Sequence, residues 1–258
     1  MTFTAPKRFF KVLSLIERAA AYAQGKGYGA ATIEREIGLL QSFLKNRPEL
    51  AIDIGGNVGS YTAELRRRNP HLEIHTFEPS VANIAKLSAR FKDDELIKLV
   101  PLAVSDKAGS ATLFSNEPGS GLSSLTKRRL DHFSIAFDAT ESIETIRFED
   151  YWKERLQIRQ LDIVKIDVEG HELAVLKGFG EALNATRIIQ LEFGGCNIDT
   201  RTYFQDFWYL FKELEFDLYR VTPFGSERIL QYAESDEFFS TTNYLAVNKR
   251  LIQNDSRS

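Results

Sequence analysis

The sequence predicts an α/β fold: a doubly wound, mostly parallel sheet of seven strands, with a helical cap at its N-terminus. Three observations carry this. Short apolar runs of strand length alternate with segments whose apolar residues recur at helical spacing, the pattern of crossover-connected parallel strands. The first run, Leu50-Ala51-Ile52, passes straight into a glycine-rich turn. Carboxylates then recur where successive runs end, at Asp53, Glu78 and Asp167.

In order along the chain, Phe9 to Phe43 reads as two helical segments separated by the breaker Gly25-Lys26-Gly27-Tyr28-Gly29. This segment defines a helical extension over residues 1–47, with the main domain over 48–258. After the first strand, Leu72 to Phe77 is the second strand, Ser80 to Phe91 a helix and Ile97 to Val104 the third strand. Leu161 to Val168 is the fourth, followed by a helix through Lys177, and Arg187 to Phe193 is the fifth. Phe216 to Val221 and Tyr244 to Val247 close the sheet. Phe204, Phe207, Trp208 and Phe211 form an i, i+3, i+4, i+7 stripe and read as the buried face of a helix. Asn116 to Glu144, with Pro118-Gly119-Ser120-Gly121 and Lys127-Arg128-Arg129, is an irregular, lid-like insertion of the length usually reserved for binding loops.

Composition narrows the classes. With 258 residues, 43% hydrophobic and 27% charged, the chain can bury a substantial core. Its net charge of -3 argues against a basic nucleic-acid-binding domain, so no nucleic-acid partner is expected. The single cysteine, Cys196, excludes an internal disulfide. The apolar run Val12 to Ile16 is too short, and too soon followed by Glu17-Arg18, for a membrane span or signal peptide, which predicts a cytoplasmic protein.

In an open parallel sheet, ligands bind beyond the carboxyl ends of the strands. A dinucleotide fingerprint needs glycines at i, i+2 and i+5. Counted from Gly55 those positions hold Gly55, Asn57 and Ser60, so the spacing fails. The glycines fall instead at Gly55, Gly56 and Gly59, preceded by Asp53. A helix opening near Gly59 offers free N–H groups to a carboxylate, while Asp53 attracts an ammonium group or holds the loop. The amino-acid end of methionine is such a zwitterion. Glu78, ending the second strand, suits the two hydroxyls of a ribose.

A second polar cluster follows the fourth strand. If the strand stays extended, Lys165, Asp167 and Glu169 share one face and Val164, Ile166 and Val168 the other. Charges inside a central strand are costly unless they pair, bind ligand or lie at its open end. Asp167, Glu169 and His171 are candidate general bases, with Lys165 as a pairing partner. A metal site built from Asp167, Glu169 and His171 lacks a defined ligand spacing, and none is expected.

These residues together resemble the FkbM-type methyltransferases, a branch of the class I enzymes that use S-adenosylmethionine. The matching segments are AIDIGGNVGSYT at 51–62, HTFEPS at 75–80, PLAVSD at 101–106, SSL at 123–125, LDIVKIDVEGHELAVLKG at 161–178 and QLEFG at 190–194. The resemblance implies a Rossmann-like sheet, with S-adenosylmethionine held by Asp53, Gly55, Gly56, Asn57, Gly59, Tyr61, Glu78, Pro79 and Asp167. It places Ala103, Val104 and Ser105 near the adenine, and Lys165, Asp167, Glu169 and His171 at the chemistry. Where the family turn usually carries alanine this chain has Gly56, read as a change that loosens the backbone without adding a clash.

Methyl transfer from a sulfonium is an in-line displacement, so the protein aligns the acceptor and helps remove its proton. The resemblance implies O-methylation of a small molecule, sugar or glycan. Tyr219, Phe224, Tyr232 and Phe238 are candidates for a sugar-stacking surface, and Lys127-Arg128-Arg129 for meeting a phosphate on a linked sugar. The alternatives are an NAD-dependent oxidoreductase or epimerase on a similar sheet, and a non-catalytic binding protein of methyltransferase fold.

Overall fold

The computed structural model describes residues 7–29 and 32–254. Parts of the expected helical extension, residues 1–6, 30 and 31, lie outside the described residues, as does 255–258. Helices α1 (Lys7–Ala23) and α2 (Ile33–Phe43) precede β1 (Leu50–Ile54), α3 (Ser60–Arg68), β2 (Glu73–Phe77), α4 (Val81–Arg90) and β3 (Ile97–Val100). Strands β4 (Ala103–Val104), β5 (Gly109–Ser115) and β6 (Ala139–Ile146) follow, then α5 (Phe148–Glu154). The second half runs β7 (Leu161–Ile166), α6 (Glu172–Phe179), β8 (Thr186–Phe193), α7 (Cys196–Thr200), α8 (Phe204–Glu213), β9 (Phe216–Thr222), β10 (Gly225–Ile229), β11 (Thr242–Asn248) and α9 (Lys249–Asn254).

The main sheet has the order β10-β9-β11-β8-β7-β1-β2-β3. Five central strands are parallel, and β11, β9 and β10 join them antiparallel. The chain winds outward from β1 through β2 and β3, then returns to β7 on the other side. That reversal makes the carboxyl ends of β1 and β7 the switch point, where such sheets open a crevice for ligands. The doubly wound, mostly parallel expectation therefore holds, and eight strands stand where seven were predicted. The extra strand is β10, folded back on β9 around Pro223-Phe224.

Two further differences have local causes. The predicted third strand, Ile97 to Val104, is interrupted at Pro101, which has no N–H to continue a ladder. Ala103-Val104 consequently leaves the main sheet and pairs with β6 in a separate three-stranded sheet, β4-β6-β5. The segment read as irregular from Asn116 to Glu144 is strand from Ala139 onward, because its alternating residues pair antiparallel with β5. Its remaining part has one short 3-10 turn, Asp131–Phe133.

Apolar cores lie on both faces of the sheet. One joins Phe77, Val164 and Ile166 to Phe148, Phe179 and the stripe Phe204, Phe207, Trp208 and Phe211. The other joins Ala51, Ile74 and Ile163 to Ile37 and Leu40 of α2 and Tyr61 and Leu65 of α3. Rings account for much of the first: Phe148 stacks on Phe179 at 4.0 Å, and Phe193 contacts Phe204 and Phe207 edge-on. A close-packed base of this kind holds the strand ends, and hence the side chains they carry, in fixed positions.

Candidate functional site

Two cavities meet at the switch point. The first runs from Ile54, Gly55 and Asn57 over Phe77, Glu78 and Pro79 to Ala103, Val104, Leu125, Asp167, Glu169 and His171. The second lies under the N-terminal cap, between Thr32 and Glu36 on one side and Asp53, Tyr61, Lys165, Asp167, Glu192 and Asn243 on the other. Gly55, Asn57 and Asp167 border both. The first cavity's largely apolar lining with a few convergent polar groups is the composition of a small-molecule site.

The turn between β1 and α3 explains its glycines individually. Gly55 has φ +84°, and a Cβ there would lie 1.9 Å from the carbonyl oxygen of Asp167, so only glycine lets β7 approach. The Gly55 and Gly56 N–H groups both donate to Phe77 O, at 3.0 Å. The expectation for Gly56 needs correction, because a Cβ there would lie 2.2 Å from Thr76 Cγ2. Thr76 is held by its hydroxyl contact to Thr62 Oγ1 at 2.9 Å, so glycine makes room for a fixed branched neighbour. Gly59 borders neither cavity; with φ +77° it starts α3 against Leu87 and Phe91.

Glu78 follows β2 and is buried, 6% exposed. Its Oε2 accepts from the Asn57 N–H at 2.8 Å and its Oε1 from the Ser80 N–H at 2.9 Å. Each oxygen keeps a lone pair toward the first cavity's ligand space. Burial raises its pKa, against the lowering effect of those two N–H groups.

A polar row crosses the sheet and was visible only in pieces before the register was known. Thr76, Asp53, Lys165 and Gln190 are Cα partners on four adjacent strands, so their side chains point to one face. Thr62 Oγ1 donates to Asp53 Oδ2 at 2.5 Å, and Tyr61 Oη donates to Gln190 Oε1 at 2.8 Å. Glu36, from α2, accepts from Gln190 Nε2 and from Asn243 Nδ2. The cap is thereby tied to the sheet through buried, partnered polar groups, the condition under which such groups are tolerated. Asp53 is committed to holding α3 while also bordering the second cavity; burial raises its pKa, opposed by the Thr62 hydrogen bond.

The cluster after the fourth strand does not share one face. The strand ends at Ile166, and the chain then turns, with Glu169 at φ +54° and Gly170 at φ +103°. Lys165 borders the second cavity, Glu169 and His171 the first, and Asp167 both. Lys165 Nζ donates to Asp167 Oδ2 at 2.8 Å and lies 5.4 Å from the Tyr61 ring centroid. Burial works against its charge, but Asp167, with Asp53 and Glu36 behind it, outweighs burial and raises the pKa. His171 Nε2 is 2.9 Å from Ser105 Oγ, and burial lowers its pKa, which keeps the imidazole neutral at pH 7. Ala103, Val104 and Pro79 line the first cavity, and Ser105 reaches it through His171.

Sequence reasoning missed two parts of this site. Glu192, at the end of β8, borders the second cavity beside Asp167, and burial, then the charges of Asp167 and Glu169, raises its pKa well above the ordinary value. The signal was available: it is the one acid of its strand, set between Leu191 and Phe193. Asp167, Glu169 and Glu192 can each offer a carboxylate oxygen within 4.8 Å of the others, close enough together to hold a metal ion. The second is Arg128. Its guanidinium donates to Glu169 Oε2 at 2.5 Å and lies 3.6 Å from Asp199, while Ser124 Oγ donates to Glu169 O at 2.8 Å. The insertion is thereby pinned beside the first cavity, where Ser120 to Leu125 contribute lining. Burial and Asp167 push the Glu169 carboxyl up to about 7, against Arg128.

The remaining sequence suggestions fare differently. Arg128 is buried against Glu169, whereas Lys127 and Arg129 are exposed beside Asp138 and Asp131, and none of the three borders either cavity. None of Tyr219, Phe224, Tyr232 and Phe238 borders either cavity. Tyr219 packs on Phe43 with ring centroids 4.7 Å apart, and Tyr232 Oη donates to Glu237. Among the described residues no helix is long and apolar enough to cross a membrane.

A doubly wound sheet with a glycine turn after its first strand, an acid after its second and a cavity at the switch point defines an α/β protein of the kind that takes its ligand at the strands' carboxyl ends. The FkbM methyltransferase domain matches residues 53–218, and the chain belongs to that family; it is a methyltransferase. It is 28% identical over 193 residues to the 2-O-methyltransferase NoeI of Sinorhizobium fredii, covering 70% of this chain and 78% of that one. It is 29% identical over 155 residues to the methyltransferase sdnD of Sordaria araneosa, covering 50% and 60%. A crystal structure of an FkbM methyltransferase from Methylobacillus flagellatus, 14% identical, superposes with a TM-score of 0.47, covering 94% of this chain and 71% of that one. That score is too low to carry the fold, which stands on the strand order and registers above.

Proposed function

We propose that this methyltransferase uses S-adenosylmethionine to methylate a hydroxyl of a sugar, glycan or other small molecule. One observation carries the reading: two cavities, one largely apolar with Glu78 on its wall and one polar, meet at Gly55, Asn57 and Asp167. The residues present fit the cofactor. Phe77, Pro79, Leu102, Ala103 and Val104 give an apolar bed for adenine, Glu78 faces the ribose, and the turn at Gly55 and Asn57, which borders both cavities, receives the methionine end. S-adenosylmethionine, when bound, supplies an electrophilic methyl group on a sulfonium.

The acceptor occupies the second cavity, beneath the cap. Asp167 borders both cavities, so its carboxylate is placed to orient the acceptor hydroxyl and take its proton. Lys165 positions Asp167 through their 2.8 Å contact. Glu192 is a second acid on the same cavity wall. His171, neutral and hydrogen-bonded to Ser105, holds the loop bordering the first cavity. The O-methylation is supported by the similarity to NoeI, a 2-O-methyltransferase.

Calorimetric titration with S-adenosylhomocysteine and, separately, NAD tests the cofactor. Binding of the former at micromolar concentration is expected; binding of NAD alone would leave an oxidoreductase in its place. Methyl incorporation from isotopically labelled S-adenosylmethionine into oligosaccharide hydroxyls tests the acceptor, and labelling confined to nitrogen or carbon would overturn that part.

A further inference from the structure

Helix α1 leaves a large apolar face uncovered. Residues 8–20 are all exposed, and Phe9, Phe10, Val12, Leu13, Leu15 and Ile16 are each between 44% and 69% exposed. Phe9, Val12, Leu13, Ile16 and Ala20 fall at i, i+3, i+4, i+7 and i+11, on one side of the helix. Lys11, Ser14 and Arg18, at i, i+3 and i+7, fall on the other, with Arg8 at the boundary. Among the described residues the helix is anchored beyond Ala20: Ala21 is buried, Gly25 abuts Val221 O, and Lys26 Nζ donates to Ser235 O at 2.8 Å. An isolated helix of 17 residues has little stability in water, so a partner that covers its apolar side adds the missing burial.

Charge identifies the partner. Residues 7–23 contain four cations and one acid, a net +3, in a chain whose net charge is -3, which leaves -6 elsewhere. A cationic polar side opposite a Phe- and Leu-bearing apolar side is the pattern of a helix that lies in a lipid headgroup layer. Spanning is excluded, because Lys11 and Glu17-Arg18 interrupt a stretch of only 17 residues. Pairing with α1 of a second copy would cover the apolar side but leave Arg8, Lys11 and Arg18 without counter-charge. An anionic bilayer surface satisfies both. Phe224, 83% exposed at the β9–β10 turn, lies three residues beyond Val221, which abuts the base of the helix, and adds a second apolar contact.

We propose that α1 lies in the plane of an anionic phospholipid surface, apolar side down, and tethers the enzyme there. The tether is independent of which acceptor or cofactor the site takes. Co-sedimentation of the full chain with vesicles tests it. Binding is expected to vesicles of phosphatidylcholine mixed with phosphatidylglycerol, weakening as salt rises, and not to phosphatidylcholine alone. Lys11→Gln with Arg18→Gln lowers the affinity roughly 25-fold, about fivefold per cation. Leu13→Glu with Ile16→Glu abolishes binding with an unchanged unfolding temperature, since both residues are exposed. Equal binding to neutral vesicles, unaltered binding by the Leu13→Glu, Ile16→Glu protein, or no binding at all overturns the proposal. A lipid-free dimer dissolved by those same substitutions, without vesicle binding, assigns the face to a second copy instead.

Discussion

Replacing Glu78 separates binding of the cofactor's ribose from support of the loop that surrounds it. The carboxylate accepts two backbone N–H groups, Asn57 at 2.8 Å and Ser80 at 2.9 Å, and retains a lone pair on each oxygen. Glu78→Ala removes both functions. Hydrogen bonds to a charged acceptor contribute about 1.5–3 kcal/mol each, so losing two to the ribose weakens S-adenosylhomocysteine binding on the order of 10²-fold or more. Orphaning two N–H groups costs a further ~1–3 kcal/mol each in stability. Calorimetric titration reads the first effect and thermal unfolding with and without ligand the second, because ligand stabilisation scales with the logarithm of concentration over Kd. The sign of the pH dependence follows from burial. Burial raises the Glu78 pKa, so wild-type affinity falls as pH drops through that elevated value, whereas Glu78→Gln has no such step. An Ala variant that melts earlier yet binds S-adenosylhomocysteine within threefold of wild type would refute the ribose role and leave Glu78 as loop support.

Three other outcomes are expected. Gly56→Ala destabilises the fold by about 1–3 kcal/mol through contact with Thr76 Cγ2, and Gly56→Ala with Thr76→Ser recovers most of it, since serine keeps the hydroxyl facing Thr62; chemical denaturation of the four proteins checks the coupling. Burial pushes the Glu172 carboxyl from 4.5 to about 7, so the folded protein binds that proton more tightly and wild-type stability falls as pH rises from about 4.5 to 7, then levels. Glu172→Gln keeps an oxygen for the Val168 and Gly170 N–H groups and lacks this fall, so its stability relative to wild type improves by roughly 3 kcal/mol between pH 4.5 and 8, read by denaturation at both. Asp167→Asn lowers turnover at least 10²-fold with S-adenosylhomocysteine affinity changed less than fivefold; unfolding of the variant, with full activity in the folded remainder, would make Asp167 structural.

What the sequence could and could not disclose follows from the range of the interactions. Local signals were legible: the short apolar runs of β1 and β7, the period of 3.6 in the Phe204 to Phe211 stripe, and the Gly55, Gly56, Gly59 turn each rest on neighbours within a few residues. Pairings across the sheet were not. Lys165 reads as a costly charge in a strand, and only the register that sets Asp53, Lys165 and Gln190 side by side shows its neutralisation by acids from three different elements. Periodicity likewise put Glu169 on the face of Lys165, because alternation holds only while the backbone stays extended, and a positive φ at Glu169 ends it. The same limit explains Gly56. A turn glycine looks permissive in sequence, yet the Thr76 methyl that excludes a larger residue arrives from a strand 20 residues downstream. Arg128 makes the point for function: read locally it belongs to a solvated basic run, but its partner Glu169 lies 41 residues away. Arg128 therefore connects the insertion to the cofactor cavity, and a substitution there reaches the site through the Glu169 loop.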